Sequence, residues 1–192
     1  MDLPPPSYDE TFQAVVQCEI AQENVSVAYD DRMQADVVTI SDLGELTDRK
    51  LGCLKHAIHP FYILTIENGE QSAAFYEFSR REDRPIQRAE ATEWLRTRNL
   101  LDRLPAFDPD RGLEKFATDI EIACGVGEGS ALVPLGTSSL ILRHDFIQAQ
   151  DLTAADDILS CVMHMFTASD AQEHEVSLGF IGNEAVEEGD DR

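Results

Sequence analysis

The stretch Ser130–Ser169, SALVPLGTSSLILRHDFIQAQDLTAADDILSCVMHMFTAS, sets the reading of the whole chain. It predicts two short strands and then an amphipathic helix. Thr153 with Asp156 three residues on forms a capping box, which satisfies free amides at the helix start. Ala155, Ile158, Leu159, Val162, Met165 and Phe166 then recur at helical spacing as one apolar stripe. Asp156, Asp157, Ser160, His164 and Thr167 fall on the other side. Ahead of the helix, Leu140, Ile141, Leu142, Phe146 and Ile147 suit a largely buried strand. Leu132–Leu135 is its hairpin partner through Gly136-Thr137-Ser138. Pro134 cannot donate to a ladder, so that partner is expected at an edge, with the helix covering one face of the hairpin.

Working outward, residues 1–7 form a proline-rich lead, residues 8–182 a single α+β domain, and residues 183–192 an acidic, disordered tail. Ser7 and Glu10 make a second capping box, with Phe12, Val15, Val16 and Ile20 as the apolar face of the helix behind it. A strand through Ala14, Val16, Cys18 and Ile20 fits the same residues. Val25–Tyr29 and Ala35–Ile40 read as strands joined at Asp30-Asp31. Leu46–His59 reads as a helix ended by Pro60, with Leu51, Leu54 and Ile58 inward. FYILTIE (61–67) and QSAAFYEF (71–78) flank Asn68-Gly69, the pair favoured in two-residue hairpin turns. Arg84-Pro85 should end that hairpin, and Ile86, Ala91, Trp94 and Leu95 start a helix running to about Leu101. Asp108, Pro109 and Gly125 bound a further helix striped by Leu113, Phe116, Ala117, Ile120, Ala123 and Cys124. Glu175–Ile181 alternates as a last strand. Hairpin signals outnumber strand–helix–strand alternation, so the sheet pairing is expected to be mainly antiparallel. No internal repeat is visible in this reading.

Composition bounds the function. With 192 residues, 43% of them hydrophobic, the chain can bury a real core. It has no apolar run long enough to cross a membrane and no basic-then-apolar opening, which predicts a soluble, cytoplasmic protein. Cys18, Cys53, Cys124 and Cys161 sit among core-like neighbours and are expected as reduced, buried thiols. Fifteen Lys and Arg stand against 37 Asp and Glu, a formal charge of −22. Such a field repels phosphate backbones and anionic lipid, so neither nucleic acid nor membrane is an expected partner. It suits a basic or partly disordered protein partner, although solubility alone accounts for the same charge. Arg80, Arg81, Arg84, Arg88, Arg96, Arg98 and Arg103 crowd one segment, so the acidity elsewhere is denser than the average.

Four local patterns invite chemistry. Pro5-Pro6-Ser7-Tyr8 fits the PPxY ligand of WW domains. Cys53, His56 and His59 are spaced by three, as zinc ligands can be, but a fourth ligand is missing and Cys53 fits a buried face. Gly125-Val126-Gly127-Glu128-Gly129 has a phosphate loop's glycines in the wrong context, with the helix before them and an acid among them. His144-Asp145 lies beside Arg143 and near Ser138 and Ser139, with no nucleophile-elbow motif to make a triad. The expectation is therefore no enzyme: no catalytic residue, no cofactor and no metal site.

The order helix LEKFATDIEIACG, strand SALVPLG, strand SLILRHDFI, helix TAADDILSCVMHMFTAS, over Gly112–Ser169, resembles the class I type III secretion chaperones and the related bacterial chaperone-like regulators. The resemblance implies a homodimer that holds an extended segment of a protein partner, without catalysis. An immunity-type inhibitor of a basic toxin, or an enzyme of unrecognised type, are the alternatives.

Overall fold

The computed structural model describes residues 6–58, 60–143 and 152–180. The fold is α+β, as the sequence predicts. In place of the one domain expected over 8–182, the chain divides into two compact units, Met1–Arg84 and Pro85–Arg192, each with its own hydrophobic cluster.

In the first unit, α1 (Tyr8–Gln17) opens on the expected capping box: the Ser7 amide donates to Glu10 Oε2 at 2.8 Å and Ser7 Oγ accepts from the Glu10 amide at 3.3 Å. That cap, with Val15 fully buried, decides for helix over the competing strand. β1 (Val25–Asp30) and β2 (Ala35–Ile40) form the predicted antiparallel hairpin over six residue pairs. The Asp30 carboxylate accepts from the amides of Arg32 and Met33, which pins the turn. α2 (Asp48–Ile58) follows, with Leu51, Leu54 and Ile58 inward as expected. The chain then returns as β3 (Ile63–Ile66), which pairs parallel with β2.

The hairpin expected across Asn68-Gly69 is absent, and Gln71–Phe78 lies in a helix. Asn68 acts as a cap instead: its Oδ1 accepts from the amides of Glu70 and Gln71 at 3.1 and 3.2 Å, and its carbonyl accepts from Ser72. The same Asn-Gly pair can start a helix as well as turn a hairpin. The helix, α3 (Gly69–Thr97), also continues through Pro85, where a break was expected. Phe75 and Phe78 fill the first core and Ala91 and Leu95 the second, so burial on both sides of the proline outweighs its missing amide.

In the second unit, α4 (Gly112–Ala123) begins later than Asp108, which shapes the preceding turn: its carbonyl accepts from the amides of Arg111 and Gly112. Gly125, at φ +73°, ends the helix. β4 (Leu132–Leu135) and β5 (Ser139–Leu142) pair antiparallel, with Pro134 at the sheet edge as predicted. α5 (Leu152–Ala168) carries the expected stripe, with Val162, Met165 and Phe166 buried and Ile158 and Leu159 only half-buried. β6 (Ser177–Phe180) pairs parallel with β5. Antiparallel pairing holds the larger share, six and four residue pairs beside two parallel ladders of four.

Each unit is thus helix, hairpin, helix, parallel strand, in strand order β1-β2-β3 and β4-β5-β6. The chain contains an internal repeat of topology that its sequence hides. The cysteines mark it. Cys18, the C-cap of α1, bonds Cys53 in α2, and Cys124, the C-cap of α4, bonds Cys161 in α5. The expected reduced thiols are therefore two disulfides, because the fold sets the two Cα atoms of each pair 5.5 and 5.8 Å apart, within bridging range.

Candidate interaction surfaces

The second unit is organised by a buried acid. Glu121 stands three residues before Cys124 in α4, where Val15 stands before Cys18 in α1, and both are fully buried. Its carboxylate accepts from the Gly129 amide at 2.6 Å, the Ala131 amide at 2.7 Å and the Leu132 amide at 2.9 Å. The glycine-rich stretch that looks like a phosphate loop is therefore wrapped around the protein's own carboxylate. Within it the Gly129 amide donates to that carboxylate and the Val126 amide to the Glu121 backbone carbonyl.

The remaining candidate chemistry does not assemble. Cys53 is spent in a disulfide, so it cannot serve as a thiolate ligand, and His56 Nδ1 lies 2.9 Å from the Gly52 carbonyl. His59, His144 and Asp145 lie outside the described residues. Ser139 Oγ is 2.9 Å from Ser177 Oγ, and Ser138 lends its carbonyl to the Ser177 amide, so these serines join β5 to β6. Among the described residues, no group of three or more His, Cys, Asp or Glu is placed to hold a metal ion. Pro5 of the PPxY pattern and the acidic tail also fall outside the described residues. Tyr8 of that pattern donates to Asp36 Oδ1 at 2.5 Å and packs edge-on against Tyr62, so a WW domain would have to break that pair. No helix among the described residues is long and apolar enough to cross a membrane.

The arginine-rich segment is largely engaged within its own units. Arg80 pairs with Glu77, Arg81 with Asp48, Arg88 with Glu173, and Arg96 with Glu93. Arg98 lies over the Trp94 ring, 3.8 Å from its centroid, and His164 stacks beside the same ring at 4.2 Å. In the second unit a cleft of about 590 Å³ is lined by Phe107, Leu113, Pro134 and Val176, with Arg111, Glu114, Thr137 and His174 as its polar side chains.

Alternation leaves one face of each sheet pointing away from its core. In the first unit that outer face carries Ser26, Ala28, Asp30, Ala35, Val37, Thr39, Ile63 and Thr65; in the second it carries Val133, Leu135, Ser139, Ile141, Ser177 and Gly179. Asp30, at the hairpin end of β1, is the single charged residue among them, in a chain that is 27% charged, and Val37 is buried. Ile63 is 44% exposed, Val133 39% and Leu135 60%. The sequence showed single members of this set and could not group them, because the grouping depends on the parallel register of β3 and β6. No family model, curated protein or solved structure matches this chain.

Proposed function

We propose that this chain is a non-catalytic, acidic protein-binding module that holds an extended segment of a basic or partly disordered partner, as the secretion chaperones it resembles do. The observation that supports this reading is the pair of outer sheet faces, uncharged but for Asp30 at the end of one hairpin, on a chain of net charge −22. An apolar, exposed sheet face is a surface that binding can bury. The acidity around it draws a cationic chain and speeds its encounter. The reading needs no second copy, since one chain carries two such faces, and it leaves nucleic acid and membrane outside the partner set.

The test uses a defined client: unfolded, thiol-blocked lysozyme, a basic chain diluted from denaturant into low salt. Added protein should suppress its light scattering, and the combined substitution Ile63→Asp, Val133→Asp and Leu135→Asp should abolish the effect while leaving the circular dichroism unchanged. Suppression that high salt removes but the sheet-face substitutions leave intact would instead favour an inhibitor acting through acidic surface alone. No suppression by the unaltered protein overturns the proposal.

A further inference from the structure

The two cystines carry an inference about where this protein works. All four cysteines are used, and each bond lies within one unit. Both occupy the same place in the repeated topology, from the C-cap of the helix before the hairpin to the body of the helix after it. In each, one cysteine belongs to the core, Cys18 at 2% and Cys161 at 5% exposure, while its partner, Cys53 or Cys124, is half-buried. The sequence around the two pairs differs, down to Val15 in one helix and Glu121 in the other. Two dissimilar cores therefore converge on one cross-link. Core cysteines kept merely as small apolar side chains have no reason to pair twice in register.

We infer that oxidation of Cys18 with Cys53 and of Cys124 with Cys161 is part of this protein's maturation, and that it acts where disulfides persist, in place of the reducing cytoplasm its sequence suggests. Each bond forms as two thiols lose two protons and two electrons to one Sγ–Sγ bond. The oxidant is the disulfide of a thiol–disulfide oxidoreductase, which takes up the electrons and protons and leaves as a dithiol. The half-buried Cys53 and Cys124 are the sulfurs positioned to carry the mixed disulfide, because the oxidoreductase's disulfide can reach them: each thiolate attacks it and releases one of its two sulfurs as a thiol, and the second leaves when the bond closes. Their buried partners then attack and close the bond. Each oxidation completes inside a single unit, so neither depends on the other.

The experiment reads the thiols directly. Cells of the source organism producing the tagged chain are quenched in acid, alkylated under denaturing conditions with a mass-tagging maleimide, and digested without reductant. The expected result is no tag on any cysteine and peptides joined as Cys18–Cys53 and Cys124–Cys161; prior reduction should expose all four. The Cys53→Ser variant should keep the Cys124–Cys161 link and tag at Cys18 alone. Free thiols in the quenched cells overturn the inference, as do crossed links such as Cys18–Cys161. Neither outcome bears on client binding, which is measured separately on the purified chain.

Discussion

Removing the Glu121 carboxylate should unfold the second unit more readily than any surface change. The Glu121→Ala variant strips an acceptor from three amides, and two of them, on Ala131 and Leu132, sit at 0% and 2% exposed residues where water does not replace it. A buried amide left without a partner costs about 1–3 kcal/mol, so these two alone cost about 2–6 kcal/mol. The Gly129 amide lies at an exposed residue and can turn to solvent. Glu121→Gln separates shape from charge. Its one carbonyl oxygen can serve either Ala131 and Leu132 or Gly129, and its NH2 then faces a donor. It should lose about half as much. Trp94, the sole tryptophan, belongs to the same unit and makes its fluorescence the natural reporter of denaturant unfolding. A shift of less than about 0.5 kcal/mol for Glu121→Ala would be a surface-like result. It would mean that the loop does not depend on this acid.

Other outcomes follow from the same geometry. Cys53→Ser opens a cross-link of sequence separation 35, which in the loop-entropy account is worth about 4 kcal/mol; calorimetry showing no loss in unfolding free energy would remove the cystine from the stability of the first unit. The Asp42 carboxyl is held below its ordinary value by the Gly44 amide and the Gln71 side chain, with Lys50 adding attraction. A carboxyl depressed in the folded state stabilises above its unfolded pKa of about 3.9 and loses that contribution as pH falls through the folded value, so Asp42→Asn should flatten the acid limb of a melting-temperature profile. The Tyr8 hydroxyl, donating to Asp36, is pushed up to about 12. Its stabilisation is complete below about pH 10 and lost as pH rises through the folded value, and Tyr8→Phe should delete the highest step of a tyrosinate absorbance titration. Leu159→Ala removes a half-buried side chain and should cost less than the about 2–5 kcal/mol of a full core truncation.

Short-range signals carried most of the helices and both hairpins into the sequence reading. The Ser7 and Glu10 cap, the stripe of α5 and the β1–β2 and β4–β5 pairs each depend on residues a few positions apart. What escaped depends on partners chosen by the fold. β3 and β6 reach β2 and β5 through crossovers, and nothing local distinguishes a parallel third strand from half of a hairpin. Asn68-Gly69 carries the same chemistry as turn and as cap, and only the buried Phe75 and Phe78 decide between them. The repeat was hidden because equivalent positions hold unlike residues, Val15 and Glu121 among them. Cysteine separations of 35 and 37 were its one visible trace. The outer sheet faces were illegible for the same reason as the crossovers.

Every element that closes the first core, from α1 to the Phe75 and Phe78 turn of α3, is supplied before residue 85, and so is its cystine. A chain emerging from the ribosome, or through a translocation channel, therefore presents a finished set of contacts while its second half is still being made. Domains that are complete in this way fold as they appear. The nascent first unit can settle, and trap its thiols as a correct pair, before Cys124 and Cys161 arrive to compete for them. The order of synthesis thereby guards against mispairing that four cysteines released together would risk.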